Sequence, residues 1–168
     1  MNKILRKIQL SEEVFQFIIS CPLIAEEHKP GQFIIIQLND DFAERIPLTI
    51  ADSDKKQGTI TIVFQTVGKT THLLAEFKEG DEILHIVGPL GTPTHIEKFG
   101  TVVCVGGGIG IAPLHPIAKG MKAAGNRIIT ILGARSKNLI FFEDKMRAIA
   151  DELIICTDDG SYGQKALV

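Results

Sequence analysis

Residues 101–118, TVVCVGGGIGIAPLHPIA, constrain the fold more than any other stretch of this chain. An apolar, β-branched run from Thr101 to Val105 passes directly into glycines at 106, 107, 108 and 110. Glycine allows a backbone to turn tightly and lets another backbone or a ligand come close. The stretch is nearly uncharged and long enough to mimic a membrane span. Four glycines, Pro113 and Pro116 suit a strand, a loop and a helix better than a regular membrane helix. Pro113 falls in the first helical turn, where its missing N–H is harmless. The helical pattern runs through Ala124, and the chain is read as soluble. Arg127 to Leu132 is again strand-like, Glu143 to Ala150 helical, and Glu152 to Cys156 a third buried strand. This alternation predicts a parallel α/β sheet with right-handed crossovers. Gln164 to Val168 reads as the start of another helix.

The chain upstream has a different rhythm. Candidate strands are Ile4 to Leu10, Val14 to Ile19, Phe33 to Leu38, Ile46 to Ile50, Thr59 to Thr66 and Glu82 to Val87. Turn signals at Lys29-Pro30-Gly31, Asp52-Ser53-Asp54 and Glu79-Gly80-Asp81 separate them, a spacing that predicts an antiparallel β barrel or sandwich. One short helix is expected among them, capped by Thr71, with Leu73, Leu74 and Phe77 on one face. The change of rhythm places a boundary near Pro93 to Phe99, giving a barrel domain over 1–97 and an α/β domain over 98–168. Three strands and two helices cannot cover both faces of a parallel sheet. The second domain is therefore expected to be the N-terminal part of a longer one.

Composition excludes several function classes. A net charge of −2, with basic residues scattered among acids, offers no basic stripe for nucleic acid. Cys21, Cys104 and Cys156 stand far apart and form no C-x-x-C pair, so no metal site is visible in the chain. Cys104 and Cys156 lie in apolar runs, where buried thiols are expected. An odd, unclustered set of thiols fits a reducing cytoplasm. The five histidines show no paired metal-ligand spacing, and no nucleophile triad has a supporting motif.

The glycine loop has a chemical reading. Strand, glycines and helix together let a pyrophosphate sit against backbone amides at the helix N-terminus, with Gly107, Gly108, Ile109, Gly110 and Pro113 as the expected contacts. The competing reading is a plain strand-to-helix turn. Gly133-Ala134-Arg135-Ser136-Lys137 ends the second parallel strand, a position that receives the adenosine ribose of a dinucleotide. Ala134 and Arg135 are candidate contacts there. Arg135 with its Ser and Lys neighbours fits a 2′-phosphate, while Lys137 reads equally as an exposed turn residue, so NAD and NADP both stay open. Gly68-Lys69-Thr70 ends like a Walker A loop, but that motif needs glycine where Val63 stands.

The pattern G-G-G-x-G-x-A-P after a predicted barrel resembles the pyridine-nucleotide domain of the ferredoxin–NADP reductase superfamily. Arg45-Ile46-Pro47-Leu48-Thr49-Ile50 resembles that family's upstream flavin motif, and the resemblance covers essentially the whole chain. It implies that the Arg45 guanidinium grips the FAD pyrophosphate in a bidentate way. It further implies that Pro47, Leu48 and Ile50 line the flavin site and that Thr49 stands at the catalytic position beside the isoalloxazine N5. Gly68, Thr70 and Thr71 resemble the loop and short helix beneath the flavin pyrophosphate, with a simple helix cap as the competing reading. Gly88-Pro89-Leu90-Gly91-Thr92-Pro93 resembles a closing turn before the linker. Asp158 or Gly160, after the third strand, would contact nicotinamide or flavin; an Asx-type turn is the alternative.

Proline at 47 stands where many plant-type members have an aromatic residue. Together with GARSKNLIFFEDKM and TDDGSYGQK it points to the branch of sulfide dehydrogenase and NADH-dependent ferredoxin–NADP oxidoreductase small subunits. Electron-transfer subunits of dihydroorotate dehydrogenase are the alternative, with Ser more usual at the position of Thr49. The implied activity is an NAD(P)H-dependent flavoprotein oxidoreductase. Hydride passes between NAD(P)H and FAD, and electrons then leave to an iron–sulfur carrier such as ferredoxin. Implied partners are a larger catalytic or electron-accepting subunit and a ferredoxin-like carrier, with no nucleic acid and no membrane. A [2Fe–2S] centre is expected only in a missing C-terminal part. FMN in place of FAD, and an interaction module that keeps the fold without binding flavin, also stay open.

Overall fold

The computed structural model describes residues 2–38 and 44–168. The chain divides into two units, Met1–Pro93 and Thr94–Val168. In the first, β1 (Ile4–Gln9), β2 (Val14–Ser20), β3 (Phe33–Gln37), β4 (Arg45–Asp54), β5 (Thr59–Gln65) and β6 (His85–Leu90) form an antiparallel sheet in the order β1-β2-β5-β4-β3-β6. The two ends of that order meet. Lys3 bridges Glu82, Ile4 N–H donates to the Asp81 carbonyl, and Ile83 N–H donates to the Asn2 carbonyl. The sheet is therefore barrel-like, which removes the exposed edges an open sheet would present.

Period-two alternation explains what fills it. Phe17, Ile19, Ile34, Ile36, Ile60 and Ile62 are almost fully buried in one core. Each such side chain contributes about 2 kcal/mol by leaving water. The helix α2 (Lys69–Glu76) closes one side of this core with Leu74, while Leu73 and Phe77 pack against it half-buried.

In the barrel unit the local elements differ from expectation at α1, at β6 and at the cap of α2, and the turn expected at Asp52-Ser53-Asp54 lies within β4. A helix, α1 (Pro22–Glu27), follows β2 directly; Pro22 opens it, as proline suits a first helical position. The expected strand at Glu82 to Val87 forms instead at His85–Leu90, because residues 81–83 are used to close the barrel. Thr71 does not occupy the cap of α2. Gly68 does, and Thr71, one turn in, reaches back to accept the Gly68 and Val67 amides at 3.0 and 3.1 Å.

In the second unit, β7 (Thr101–Gly107), β8 (Arg127–Ala134), β9 (Glu152–Thr157) and β10 (Gln164–Lys165) form a parallel sheet in the order β10-β9-β8-β7. The helix α3 (Ile111–Ala123) covers one face, burying Ile111, Ala112, His115 and Ala118 with Cys104, Ile128 and Leu132. The opposite face of β7 is open: Val103 and Val105 are 55% and 54% exposed. The helix α4 (Glu143–Arg147) is shorter than expected and starts from buried Phe142, whose φ of 59° is left-handed.

Where a further helix was expected at Gln164 to Val168, the chain forms β10 beside β9. The cause is local. The Thr157 hydroxyl donates to the Tyr162 carbonyl at 2.7 Å and accepts the Tyr162 amide at 3.0 Å, which turns the chain back alongside β9. Gly163 then passes against Ile155, where an added Cβ would lie 2.1 Å from the Ile155 carbonyl oxygen. Asn126 ties the start of this unit to the α3–β8 turn. Its side-chain oxygen accepts the Phe99 and Gly100 amides, and its NH2 donates to the Glu97 and Met121 carbonyls.

Candidate functional site

Each unit carries its own candidate site. In the barrel unit, β4 is the element to follow. Its first half, Arg45 to Thr49, pairs with β3 in strict register, from Gln37↔Arg45 to Phe33↔Thr49. Its pairing with β5 begins only at Ile50. Residues 45–49 therefore have no strand partner on their second edge among the described residues. Ile50 N–H donates to the Gln32 carbonyl on the β3 side. Backbone alternation then turns Ile46 and Leu48 towards β3, and Arg45, Pro47 and Thr49 towards the open edge. Proline at 47 thus costs no ladder bond, since it cannot donate and is not asked to.

Side chains alternate as well. Ile46, Leu48 and Ile50 point to the barrel core, while Arg45, Pro47 and Thr49 share the outer face, Arg45 and Pro47 exposed and Thr49 half-buried. The six motif residues split into two roles. Leu48 and Ile50 anchor the strand through the core, with their backbone groups turned towards β3 rather than the open edge. Arg45 and Thr49 offer side chains beside an unpaired backbone edge.

The Arg45 Nε donates to the Gln37 amide oxygen at 3.0 Å, and Gln37 is 1% exposed. Glu44, next to Arg45, accepts a hydrogen bond from the buried Thr70 hydroxyl. That contact brings the N-terminus of α2 to the start of β4. The first amides of any helix lack intrahelical acceptors and carry partial positive charge. Here the side chain that reaches this first turn is Glu44, the residue before Arg45. The Thr71 hydroxyl is spent on the Gly68 and Val67 amides and on the Gly68 carbonyl, so it serves as the local cap. Neither Gln37 nor Glu44 figured among the residues read from the sequence. The clue to Gln37 would have been its place directly opposite Arg45, which needs the register.

The glycines of the second unit do different jobs. Gly106 is required by packing, because an added Cβ would sit 2.9 Å from Leu114 of α3. Gly107 and Gly133 are paired across β7 and β8, and Val168 crosses above both, with an added Cβ at Gly133 only 2.4 Å from Val168. Gly108 has φ of +52°, and neither it nor Gly110 has any atom within 4 Å of an added Cβ. Space is open beside these two, where a short 3₁₀ turn leads into α3. Ile109 is 38% exposed in that turn, and Pro113 lies in the first turn of α3.

Ala134 is buried at the end of β8 and Arg135 follows it, exposed at the strand's C-terminal edge. Its neighbours are already engaged. Ser136 Oγ lies 2.6 Å from the Asn138 side-chain oxygen, and the Lys137 ammonium sits 5.0 Å from the Tyr162 ring centroid. The loops after β8 and β9 are knit together, with the Asp158 and Asp159 amides donating to the Ala134 and Arg135 carbonyls. The Asx-type turn exists, but Asp159 makes it, accepting the Ser161 amide at 2.9 Å. The bonds from Ser161 hold the Asp159 carboxyl below its ordinary value. Asp158 and Gly160 stand exposed on the same loop, Gly160 with φ of +75°. No helix among the described residues is long and apolar enough to cross a membrane.

A barrel-like antiparallel unit followed by a parallel unit with a glycine-loop helix is the ferredoxin–NADP reductase-like fold, and the chain has it. No family model matches the chain. It is 50% identical over its whole length to a Thermotoga maritima protein named dihydroorotate dehydrogenase B (NAD(+)), electron transfer subunit homolog, and covers 59% of that protein. It is 34% identical over 166 residues to the Fusobacterium nucleatum dihydroorotate dehydrogenase B (NAD(+)), electron transfer subunit, covering 96% of this chain and 63% of that one. Among solved structures, a chain of the NADH-dependent reduced ferredoxin–NADP oxidoreductase matches with a TM-score of 0.94 and 48% identity, over 98% of this chain and 59% of that one. The chain is homologous to these oxidoreductase electron-transfer subunits, and it spans about three-fifths of their length.

Proposed function

We propose that this chain is the FAD- and NAD(P)-binding portion of an oxidoreductase subunit that passes electrons between NAD(P)H and an iron–sulfur carrier such as ferredoxin. The observation that supports this most is the open edge of β4 at residues 45–49, with Arg45 and Thr49 on its outer face and the α2 N-terminus alongside. An elongated ligand with an anionic middle and a flat polar ring fits that combination. Arg45 and the first amides of α2 would hold the pyrophosphate. Thr49, with its outward-turned backbone, would orient the ring. Bound FAD would supply the redox chemistry, and the protein would supply position and exclusion of water.

In the second unit, the open space beside Gly108 and Gly110 and the N-terminus of α3 would receive the dinucleotide pyrophosphate. Arg135, exposed at the end of β8, would meet its adenosine end. Residues 1–97 and 98–168 would thus serve flavin and nicotinamide nucleotide respectively. We assign any [2Fe–2S] centre to residues outside this chain, whose three cysteines are separately buried. A larger catalytic subunit is the proposed partner and the cytoplasm the proposed location. The names of its relatives favour a second reading, an electron-transfer subunit of dihydroorotate dehydrogenase.

The test is an absorption spectrum of the purified chain before and after addition of FAD and desalting, followed by NADH and then NADPH. Retained flavin bands bleached by one nucleotide support the reading and identify that nucleotide. A chain that retains no flavin, alone or within the longer protein, refutes it and leaves an interaction module.

A further inference from the structure

Gln37 is a polar side chain with 1% exposure at the end of a hydrophobic barrel strand, and its amide oxygen is directed at one atom of an exposed arginine. We infer that Gln37 is a positioning residue, which sets the Arg45 guanidinium so that its two terminal nitrogens grip the flavin pyrophosphate. This rests on the FAD reading above and adds to it the part that orients the grip.

The argument is geometric. An exposed arginine has about 2 kcal/mol of rotamer entropy to lose before it can hold anything in one place. Gln37 and Arg45 are direct cross-strand partners, so their side chains leave the sheet on the same face. Gln37 is held rigidly, because β3 is paired on both sides, with β4 and with β6. Its oxygen accepts a hydrogen bond from Nε at 3.0 Å. Because the guanidinium is planar, fixing Nε and the side-chain stem fixes the plane of the whole group. The Nη1 and Nη2 edge is then the one left to face an anion, and that edge matches two phosphate oxygens.

The acceptor's chemistry also fits. A carboxylate at 37 would orient Arg45 equally well but would cancel the charge the phosphate needs. A neutral amide oxygen orients without neutralising. Glu44, the acid nearest in sequence, is engaged with the Thr70 hydroxyl.

The experiment is a double-mutant cycle on FAD affinity, read by titration of the flavin-free chain. The four proteins are the wild type, Gln37→Met, Arg45→Met and the double variant. Methionine matches glutamine in length and carries no comparable acceptor. The expected result is that Gln37→Met weakens FAD binding about tenfold, the scale of one hydrogen bond to a charged partner. In the Arg45→Met background the same change is expected to do nothing further. A residue important only for folding would weaken binding equally in both backgrounds, and that outcome overturns the inference, as does unchanged affinity in Gln37→Met. Should Gln37→Met fail to fold, Gln37→Glu keeps the acceptor. It is then expected to lose affinity and to show a shallower salt dependence, because the paired charge is partly cancelled; wild-type affinity and salt dependence would overturn the inference. A wild-type chain that takes up no FAD overturns the flavin reading itself, so the two failures are distinct.

Discussion

Replacing Asn126 with alanine removes a single buried side chain that holds four backbone groups. Its oxygen accepts the Phe99 amide at 2.7 Å and the Gly100 amide at 2.9 Å, and its NH2 donates to the Glu97 and Met121 carbonyls, each at 2.8 Å. Asn126 itself is 3% exposed. Glu97, Phe99 and Gly100 are exposed residues, so water replaces much of what they lose, and each of those bonds is worth about 0.5–1 kcal/mol net. The Met121 carbonyl bond is fully buried; losing it costs about 1–2 kcal/mol. Together the substitution is expected to cost about 3 kcal/mol, large for a single change. Asn126→Asp keeps the acceptors but turns a carboxylate on two carbonyls, and should be no better than alanine. Because the chain has two units, one global unfolding energy is not well defined. Hydrogen exchange resolves the effect locally: the Phe99 and Gly100 amides should exchange about a hundredfold faster, with barrel amides unchanged. Unaltered protection at those two amides, or an equal loss in both units, would refute the reasoning.

Lys7→Met should destabilise the barrel unit by about 1–2 kcal/mol in urea unfolding, since the ammonium caps the Ala75 and Phe77 carbonyls at the end of α2 and lies 5.3 Å from the Phe15 ring centroid. Phe142→Gly should be more stable than Phe142→Ala by about 1 kcal/mol, because both lose the packing but only glycine relieves the φ of 59°; the reverse order by calorimetry would sink this explanation. The Asp151 carboxyl is held below its ordinary value by the Lys122 ammonium first and the Ile128 amide second. A depressed carboxyl stabilises the fold above the ordinary aspartate range, near pH 4, and the stabilisation fades as pH falls below it. Asp151→Asn should therefore flatten the acid limb of the unfolding profile below pH 4 and lower stability at neutral pH.

Most of the strands and the helix α3 were legible in the sequence because each depends on local chemistry. Alternation of apolar residues, a β-branched run ending in glycines and a proline in a first helical turn all act within a few residues of themselves. The candidate site was legible in part for the same reason: Arg45, Thr49 and the glycine loop lie in short contiguous motifs. What those motif residues do was decided by pairing between distant segments. Arg45 and Thr49 stand beside an unpaired backbone edge because β4 meets β5 only from Ile50 onwards. Gln37 belongs beside Arg45 because β3 pairs with β4 in one register, and a slip of one residue would have turned it inward. The end of the chain is a strand because the Thr157 hydroxyl claims the Tyr162 backbone and Gly163 fits against Ile155. Most secondary structure was thus written in local propensity and periodicity, but not α1, the position of β6 or β10. The open strand edge, the oriented arginine and the folded-back tail come from contacts between residues far apart in the chain, which only the assembled barrel and sheet bring within hydrogen-bonding reach.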